Sequence, residues 1–358
     1  MRGCDILLHD FLLVWVQFSR LSKIRSIMMR YKSLLCCVAG YLLFSAIGEQ
    51  TSGLETTKCV NGVPKVVDTE NKSVDASDRI PNAVTIFLCG DVMTGRGIDQ
   101  ILPHPSDPTI YESYMKSAQG YVKIAEKLNG PIGCLGSFSY IWGDALEELD
   151  RVAPDIRIIN LETSVTKSNE YWKGKGINYR MHPENISSLT AANIDVCSLA
   201  NNHVLDWGYS GLFETLATLK KVKIKISGAG RNLFEAQAPS IIKVPGKGRV
   251  IVFAFGLGTS GVPSSWGAAD KRPGINMLRD LSDKSLFGIQ EKVRKVKSRG
   301  DIVVVSLHWG SNWGYSIPQN QRVFAHRLID EAGVDIIHGH SSHHVRPIEV
   351  YRDKLILY

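Results

Sequence analysis

The chain has 358 residues, 44% of them hydrophobic and 22% charged, which excludes a disordered polypeptide and a multi-span membrane protein. The length is enough to bury a sizeable core and fits one large α/β domain with attachments, or two small domains. The net charge is +7, but six Lys/Arg against two Asp fall in the first 32 residues, so the remainder is mildly basic and no nucleic-acid partner is expected.

Residues 1–48 read as a leader. Residues 6–18 are apolar but broken by His9 and Asp10, and Arg20, Lys23, Arg25, Arg30 and Lys32 come next. Residues 34–47 form an apolar run of 14 residues that ends in Ala46-Ile47-Gly48. A short basic region, a short apolar core and small residues around a cleavage site predict a secretory signal. It is best started at Met28 or Met29, with residues 1–27 as an upstream extension of the gene reading. An uncleaved signal-anchor is the alternative, although the run is short for a bilayer span of about 20 residues. The expected location is therefore secreted, or membrane-anchored with the domain on the extracytoplasmic side. The sequons Asn71-Lys72-Ser73 and Asn185-Ile186-Ser187 support export. The seven cysteines include no pair with zinc-finger spacing. Beyond Gly48 some can pair in an oxidising compartment, whereas Cys89 sits in an apolar run and reads equally as core. Residues 49–82 are polar and predict a linker. The domain spans 83–358.

Within it, short β-branched runs at 84–89, 156–159, 194–199, 250–255, 302–307, 334–337 and 355–357 predict buried strands. Ser210 is the expected cap of a helix at 211–221, with Leu212, Phe213, Leu216 and Leu219 at helical spacing. A second helix at 319–332 carries Val323, Phe324, Leu328 and Ile329 and stops at Gly333. Alternating strands and helices predict an α/β layered fold.

The residues just past the strand ends are the informative feature. Asp91, Glu162, Asn202, His308 and the segment His338-Gly339-His340-Ser341-Ser342-His343-His344 each come after a predicted strand. Ligand sites of open α/β sheets lie beyond the carboxyl ends of their strands. Asp91, Glu162, Asn202, His308, His340 and His343 make an oxygen/nitrogen ligand set without thiolates, suited to Mn, Fe(II) or Zn. Six ligands exceed the needs of one tetrahedral ion and predict two divalent ions sharing a carboxylate. Such a pair clamps an oxyanion and acidifies water. His203 is the candidate catalytic residue, as a proton donor to the leaving group. His338 reads as structural, His344 as an alternative to His343, and Asp206 as support for the site. Arg96 and Arg180 are candidate anion forks for substrate. Trp309, Trp313 and Tyr315 form either a pocket rim or core. No nucleotide-binding fingerprint is present.

Five motifs occur in order: Gly90-Asp91-Val92-Met93-Thr94-Gly95-Arg96, Asn160-Leu161-Glu162, Ala200-Asn201-Asn202-His203-Val204-Leu205-Asp206-Trp207-Gly208, His308-Trp309-Gly310 and Gly339-His340-Ser341-Ser342-His343. Together they closely resemble the CapA, or poly-γ-glutamate capsule biosynthesis, family, a relative of calcineurin-like metallophosphoesterases, over roughly residues 84–358. The resemblance implies a four-layer α/β/β/α metallophosphatase-like sandwich. It implies that Asp91, Glu162, Asn202, His308, His340 and His343 surround the metal site and that His203 is catalytic. It associates the chain with an anionic polymer or phosphoester substrate, with membrane attachment through the N-terminal segment. The histidine segment departs from the Gly-His-His-Pro-His of many members in its middle positions. The chain also stops at Tyr358, where members continue, so a C-terminal truncation with an exposed strand edge is expected. Two functional readings are open: a dinuclear-metal hydrolase, or a non-catalytic binder of anionic polymer that retains the fold.

Overall fold

The computed structural model describes residues 9–18, 24–34, 83–132 and 136–358. The linker at 49–82, the Asn71 sequon and all but the first residue of the 34–47 run lie outside the described residues. Strand β1 (His9–Phe18) pairs antiparallel with β2 (Ile24–Leu34) and with β3 (Val84–Val92). Part of the expected leader thus stands in the first sheet. Its β-branched and aromatic residues, Phe11, Val14, Trp15, Val16 and Phe18, suit a strand.

Next, β4 (Ile156–Leu161) lies parallel to β3. A separate short parallel ladder joins β5 (Ser164–Val165) to β6 (Arg180–Met181). Strands β7 (Val196–Ser198) and β8 (Lys225–Ser227) extend the first sheet in parallel, in the order β2-β1-β3-β4-β7-β8. After β9 (Ala229–Gly230), the second sheet opens with β10 (Ser240–Val244) antiparallel to β11 (Gly248–Leu257). The short β12 (Gly274–Ile275) pairs with β9, and β13 (Met277–Leu278) with β11. Strands β14 (Ile302–His308) and β15 (Ile336–His340) then continue from β11 in parallel. The chain returns through β16 (Ile348–Tyr351) to β17 (Lys354–Leu357), in the order β10-β11-β14-β15-β17-β16. All seven predicted runs are strands. The last of them is no edge, because β17 is paired on both sides, to β15 and to β16.

Side chains alternate across each strand, and the alternation sorts the core. Val84, Ile86 and Leu88 of β3 and Ile156 and Ile158 of β4 share one cluster with Val250, Val252, Ile302 and Val304 of the second sheet. Their odd-numbered neighbours Phe87, Cys89 and Ile159 pack with Leu212, Leu216 and Leu219 of the helix Gly208–Lys221. In the second sheet Ile251, Phe253, Val303 and Val305 pack with Leu286 and Ile289 of Asp283–Val296 and with Phe324 and Leu328 of Gln319–Asp330. The result is an α/β fold whose central strands are buried on both faces, which is why they read as unbroken apolar runs.

A recurring device fixes the amino ends of the parallel strands. Asp155, Asp195 and Asp335 stand directly before β4, β7 and β15. Each accepts from the first free N–H of the neighbouring strand: Thr85 at 2.7 Å, Arg157 at 2.8 Å and Val303 at 2.9 Å. The chemistry-bearing residues sit at the opposite, carboxyl edge.

Several local expectations are corrected. The helix after the Asn202-His203 loop starts at Gly208, so Ser210 lies inside it and does not cap it. Phe213 and Val323 are exposed, because the buried stripes run through Leu212, Leu216 and Leu219 and through Phe324, Leu328 and Ile329. Asn185 is fully buried, and its amide donates to Asp99 Oδ1 and to the His104 carbonyl, so it offers no glycan acceptor in the folded chain. Cys89 and Cys197 are buried core residues. Among the described residues, no helix is long and apolar enough to cross a membrane.

Candidate metal centre

Both sheets deliver residues to one place. The ladder between β3 and β4 shifts register between Cys89 and Asp91, which places Asp91 at the end of β3. Glu162 comes directly after β4, and the Asn201-Asn202-His203 turn after β7. His308 ends β14, His340 ends β15, and the two are register partners.

Asp91, His308 and His340 each offer a ligand atom, and these three atoms lie within 4.8 Å of one another. Asp91 Oδ1 is 3.6 Å from His308 Nδ1 and 3.5 Å from His340 Nδ1. The two Nδ1 atoms are only 2.9 Å apart. On the other side of the His308 ring, Nε2 is 3.0 Å from Asn202 Oδ1 and 3.7 Å from Glu162 Oε1. Two imidazole nitrogens this close need a hydrogen or a cation between them. The N,N,O donor set fits a borderline divalent ion.

Neighbouring polar groups hold these residues in place. Asn160 Nδ2 donates to Asp91 Oδ1 at 2.7 Å, and the Ser341 N–H donates to Asp91 Oδ2 at 3.0 Å. Ser341 reaches that position with φ +100°, a region that L-residues rarely adopt. Asn201 Nδ2 donates to Asn160 Oδ1 and to the Leu161 carbonyl, and its own Oδ1 accepts from the His203 N–H at 3.0 Å. The second motif thereby braces the first and the third.

His203 lies beside this group. Its Nδ1 is 2.6 Å from Asp206 Oδ2, and its Nε2 is 3.9 Å from Glu162 Oε1. Tyr179 stacks on the ring at 3.9 Å between centroids. Lys175 Nζ is 3.0 Å from His203 Nδ1 and pairs with Asp206 Oδ1. With Asp206 accepting at Nδ1, the lone pair of a neutral ring stands at Nε2.

Burial works to raise the Asp91 carboxyl, but the hydrogen bond and charge of His308, with the charges of His340 and His343, outweigh it and hold the group below the usual carboxylate range. Burial, then the Asp91 charge, pushes Glu162 well up. Burial, with His308 and His338 nearby, pushes His340 well down. Burial also brings His203 down to about 4, against the pull of Asp206. That direction favours the neutral form of the ring.

Of the six expected ligands, three form the group above, and Glu162 and Asn202 flank it. His343 is not one of the three. Its N–H donates to the Asn312 carbonyl and its ring packs edge-on to Trp313, although its charge acts on Asp91. His344 turns away too, its Nδ1 bonded to the Val345 carbonyl. His338 is structural, and Asp206 supports His203. Arg96 and Arg180, the candidate anion forks, are both buried and bonded within the chain. Arg96 pairs with Glu112 at 2.6 Å between the Tyr121 and Tyr179 rings. Arg180 bonds Asn169 and the carbonyls of Ser168 and Asp107, over the Trp207 ring. Trp309 is buried, whereas Trp313 and Tyr315 are exposed. Sequence reasoning missed Asn160, Lys175, Tyr179, Ser306 and Ser341. Asn160 and Ser341 stood inside quoted motifs, while Lys175 lies in a loop with no signal of its own.

Residues 85–358 match the family described as bacterial capsule synthesis protein PGA_cap. A probable polyglutamine synthesis accessory protein of Mycobacterium tuberculosis is 49% identical over 279 residues, 78% of this chain and 73% of that protein. The PGA biosynthesis protein CapA of Bacillus subtilis is 33% identical over 239 residues, 66% of this chain and 58% of that protein. The capsule biosynthesis protein CapA of Bacillus anthracis is 28% identical over 279 residues, 77% of this chain and 58% of that protein. A match over residues 85–358, with every motif of the centre inside it, makes this chain a member of the bacterial capsule synthesis protein PGA_cap family.

Proposed function

We propose that the protein is a metal-dependent hydrolase, phosphoesterase-like, acting on a phosphoester or an anionic capsule polymer of the poly-γ-glutamate type. The observation that carries this reading is the convergence of Asp91, His308 and His340 from both sheets, with their ligand atoms within 4.8 Å. Asp91, His308 and His340 would hold one divalent ion, Mn, Fe or Zn. Glu162 and Asn202, on the far side of His308, would serve a second. Bound there, such ions supply Lewis acidity toward an oxyanion and toward water. The chain's own part is orientation and proton handling. Asp206 keeps the His203 proton at Nδ1, and Nε2 takes up the proton of the attacking water and passes it to the leaving group as its bond breaks. Tyr179 and Lys175 hold that ring and its carboxylate in register.

The layering that accompanies this reading is the α/β/β/α sandwich, supported by the cluster shared between the sheets and the two helix-facing clusters. Capsule work by the relatives supports an extracytoplasmic location. The test is elemental analysis of the purified chain together with an aryl-phosphate screen. Asp91→Asn is expected to lose bound metal and turnover together. His203→Gln is expected to keep the metal and lose about 10²–10⁴-fold in kcat. Metal retained by Asp91→Asn would refute the centre, and bound metal without turnover would leave a binding protein.

A further inference from the structure

We propose that Ser306 and His338 form a positioning relay that locks His340 in the tautomer whose Nδ1 carries the lone pair facing Asp91 and His308. The direction of the relay is set at its far end. The Cys89 carbonyl can only accept, so His338 donates to it from Nε2–H at 3.0 Å. A ring with its proton at Nε2 presents a lone pair at Nδ1. Ser306 Oγ lies 3.2 Å from that Nδ1 and donates its single proton there. With its proton committed, the same oxygen accepts from His340 Nε2–H at 2.8 Å. His340 Nδ1 is therefore an acceptor, 2.9 Å from His308 Nδ1 and 3.5 Å from Asp91 Oδ1. Asn202 Oδ1 likewise only accepts, so His308 donates to it from Nε2–H, and both Nδ1 lone pairs face the contact, which is filled by a cation or by a second proton on His308.

The three relay side chains are buried, and among the described residues no carboxylate accepts a hydrogen bond from Ser306 or His338, so the order is not scrambled by a second acceptor. The relay runs from β15 through β14 and back across the sheet interface to β3. Metal-bound histidines commonly have the second nitrogen fixed by a carboxylate, a carbonyl or water. Here a serine and a second histidine carry that role to a carbonyl.

The consequence for metal affinity rests on the metal-centre reading, but the tautomer does not. The experiment uses the full chain labelled with ¹⁵N-histidine and stripped of metal, as wild type, Ser306→Ala and Ser306→Thr. Long-range ¹H–¹⁵N correlations report which ring nitrogen of His340 bears the proton, with the ring assigned through His340→Gln. Calorimetric titration with Mn²⁺ reports affinity, and thermal melts report folding. Wild-type His340 is expected in the Nε2–H form. Ser306→Ala is expected to mix the tautomers and weaken Mn²⁺ binding about 10–100-fold, while Ser306→Thr, which keeps the hydroxyl, restores most of it. A wild-type His340 protonated at Nδ1 overturns the relay without any variant. A folded Ser306→Ala chain with an unchanged tautomer and unchanged affinity overturns it as well. A Ser306-dependent Nε2–H form in a chain that binds no Mn²⁺ supports the relay and removes the metal-centre reading instead.

Discussion

Asn160 occupies the middle of the polar lattice that steadies Asp91. It is fully buried, donates to Asp91 Oδ1 and accepts from Asn201 Nδ2, whose other bonds hold Leu161 and His203. Asn160→Ala would strand an Asn201 donor and free the carboxylate to turn. The expected cost is about 1–3 kcal/mol in urea unfolding, with metal affinity lowered about 10–100-fold by calorimetry. A metal effect without a stability effect would mean that Asn201 finds another acceptor. Ser341 gives the opposite expectation. Its N–H reaches Asp91 only at φ +100°, and its hydroxyl makes a single long bond to the Gly310 carbonyl at 3.3 Å. Ser341→Gly keeps the N–H and relieves the backbone, so metal affinity should stay within about threefold and stability should hold or rise. The ligands themselves were legible in the sequence because His and Asp after apolar strands are chemically conspicuous. Ser306 was not, because a serine inside a β-branched run looks like any strand residue. Arg96 and Arg180 show the converse limit: nothing in a sequence tells a guanidinium stacked on aromatic rings from one aimed at a ligand.

At the scale of elements, the parallel strands are pinned at one end by aspartates and carry the chemistry at the other. Asp335 is the most heavily used of the pins, accepting from Val303 N–H and pairing with Lys297 at 2.8 Å and with Lys354. Asp335→Ala strands a buried N–H and should cost about 1–3 kcal/mol, read as a lowered urea midpoint. An unchanged midpoint would show that water reaches that end of the strand. Gly339 serves the other end. A Cβ there would stand 2.5 Å from the Leu357 carbonyl oxygen and 2.7 Å from the Tyr358 carbonyl carbon, both backbone, so Gly339→Ala should push β17 from β15 and cost about 1–3 kcal/mol. Strand periodicity disclosed seven of the central strands, since burial on both faces writes itself as an apolar run, whereas β1 reads as leader. The edge strand β16 and the helix Asp283–Val296 escaped, because a half-exposed element mixes polar residues into its pattern. The order of strands in the two sheets escaped too, because it depends on pairings far apart in the chain.

For the whole molecule, the buried histidines set a pH limit. His203 and His338 are both brought down to about 4 by burial, from an ordinary value near 6.5. The unfolded chain therefore binds more protons than the folded one below pH 6.5. The stability these rings contribute is complete above that pH and is lost as pH falls toward 4. Asp91 adds a separate contribution, present above its ordinary 3.8 and lost only in stronger acid. Thermal melts of the chelator-treated chain at pH 7.5, 6, 5 and 4 should show the midpoint falling between 6.5 and 4. A flat profile down to pH 4.5 would contradict the burial of these rings.

Asp91 and the segments after β4 and β7 that carry Glu162 and Asn202 come from one sheet, and His308 and His340 from the other. An ion seated among them would act as a rivet through both plates, adding to the few hydrogen bonds that cross the apolar seam, such as His338 to the Cys89 carbonyl and Ser341 N–H to Asp91. Occupancy should therefore slow the parting of the halves as well as enable chemistry. The melting midpoint should climb with the logarithm of free Mn²⁺ once the dissociation constant is passed. Hydrogen exchange should slow first at the carboxyl ends of β3, β14 and β15, leaving the aspartate-pinned ends unaltered.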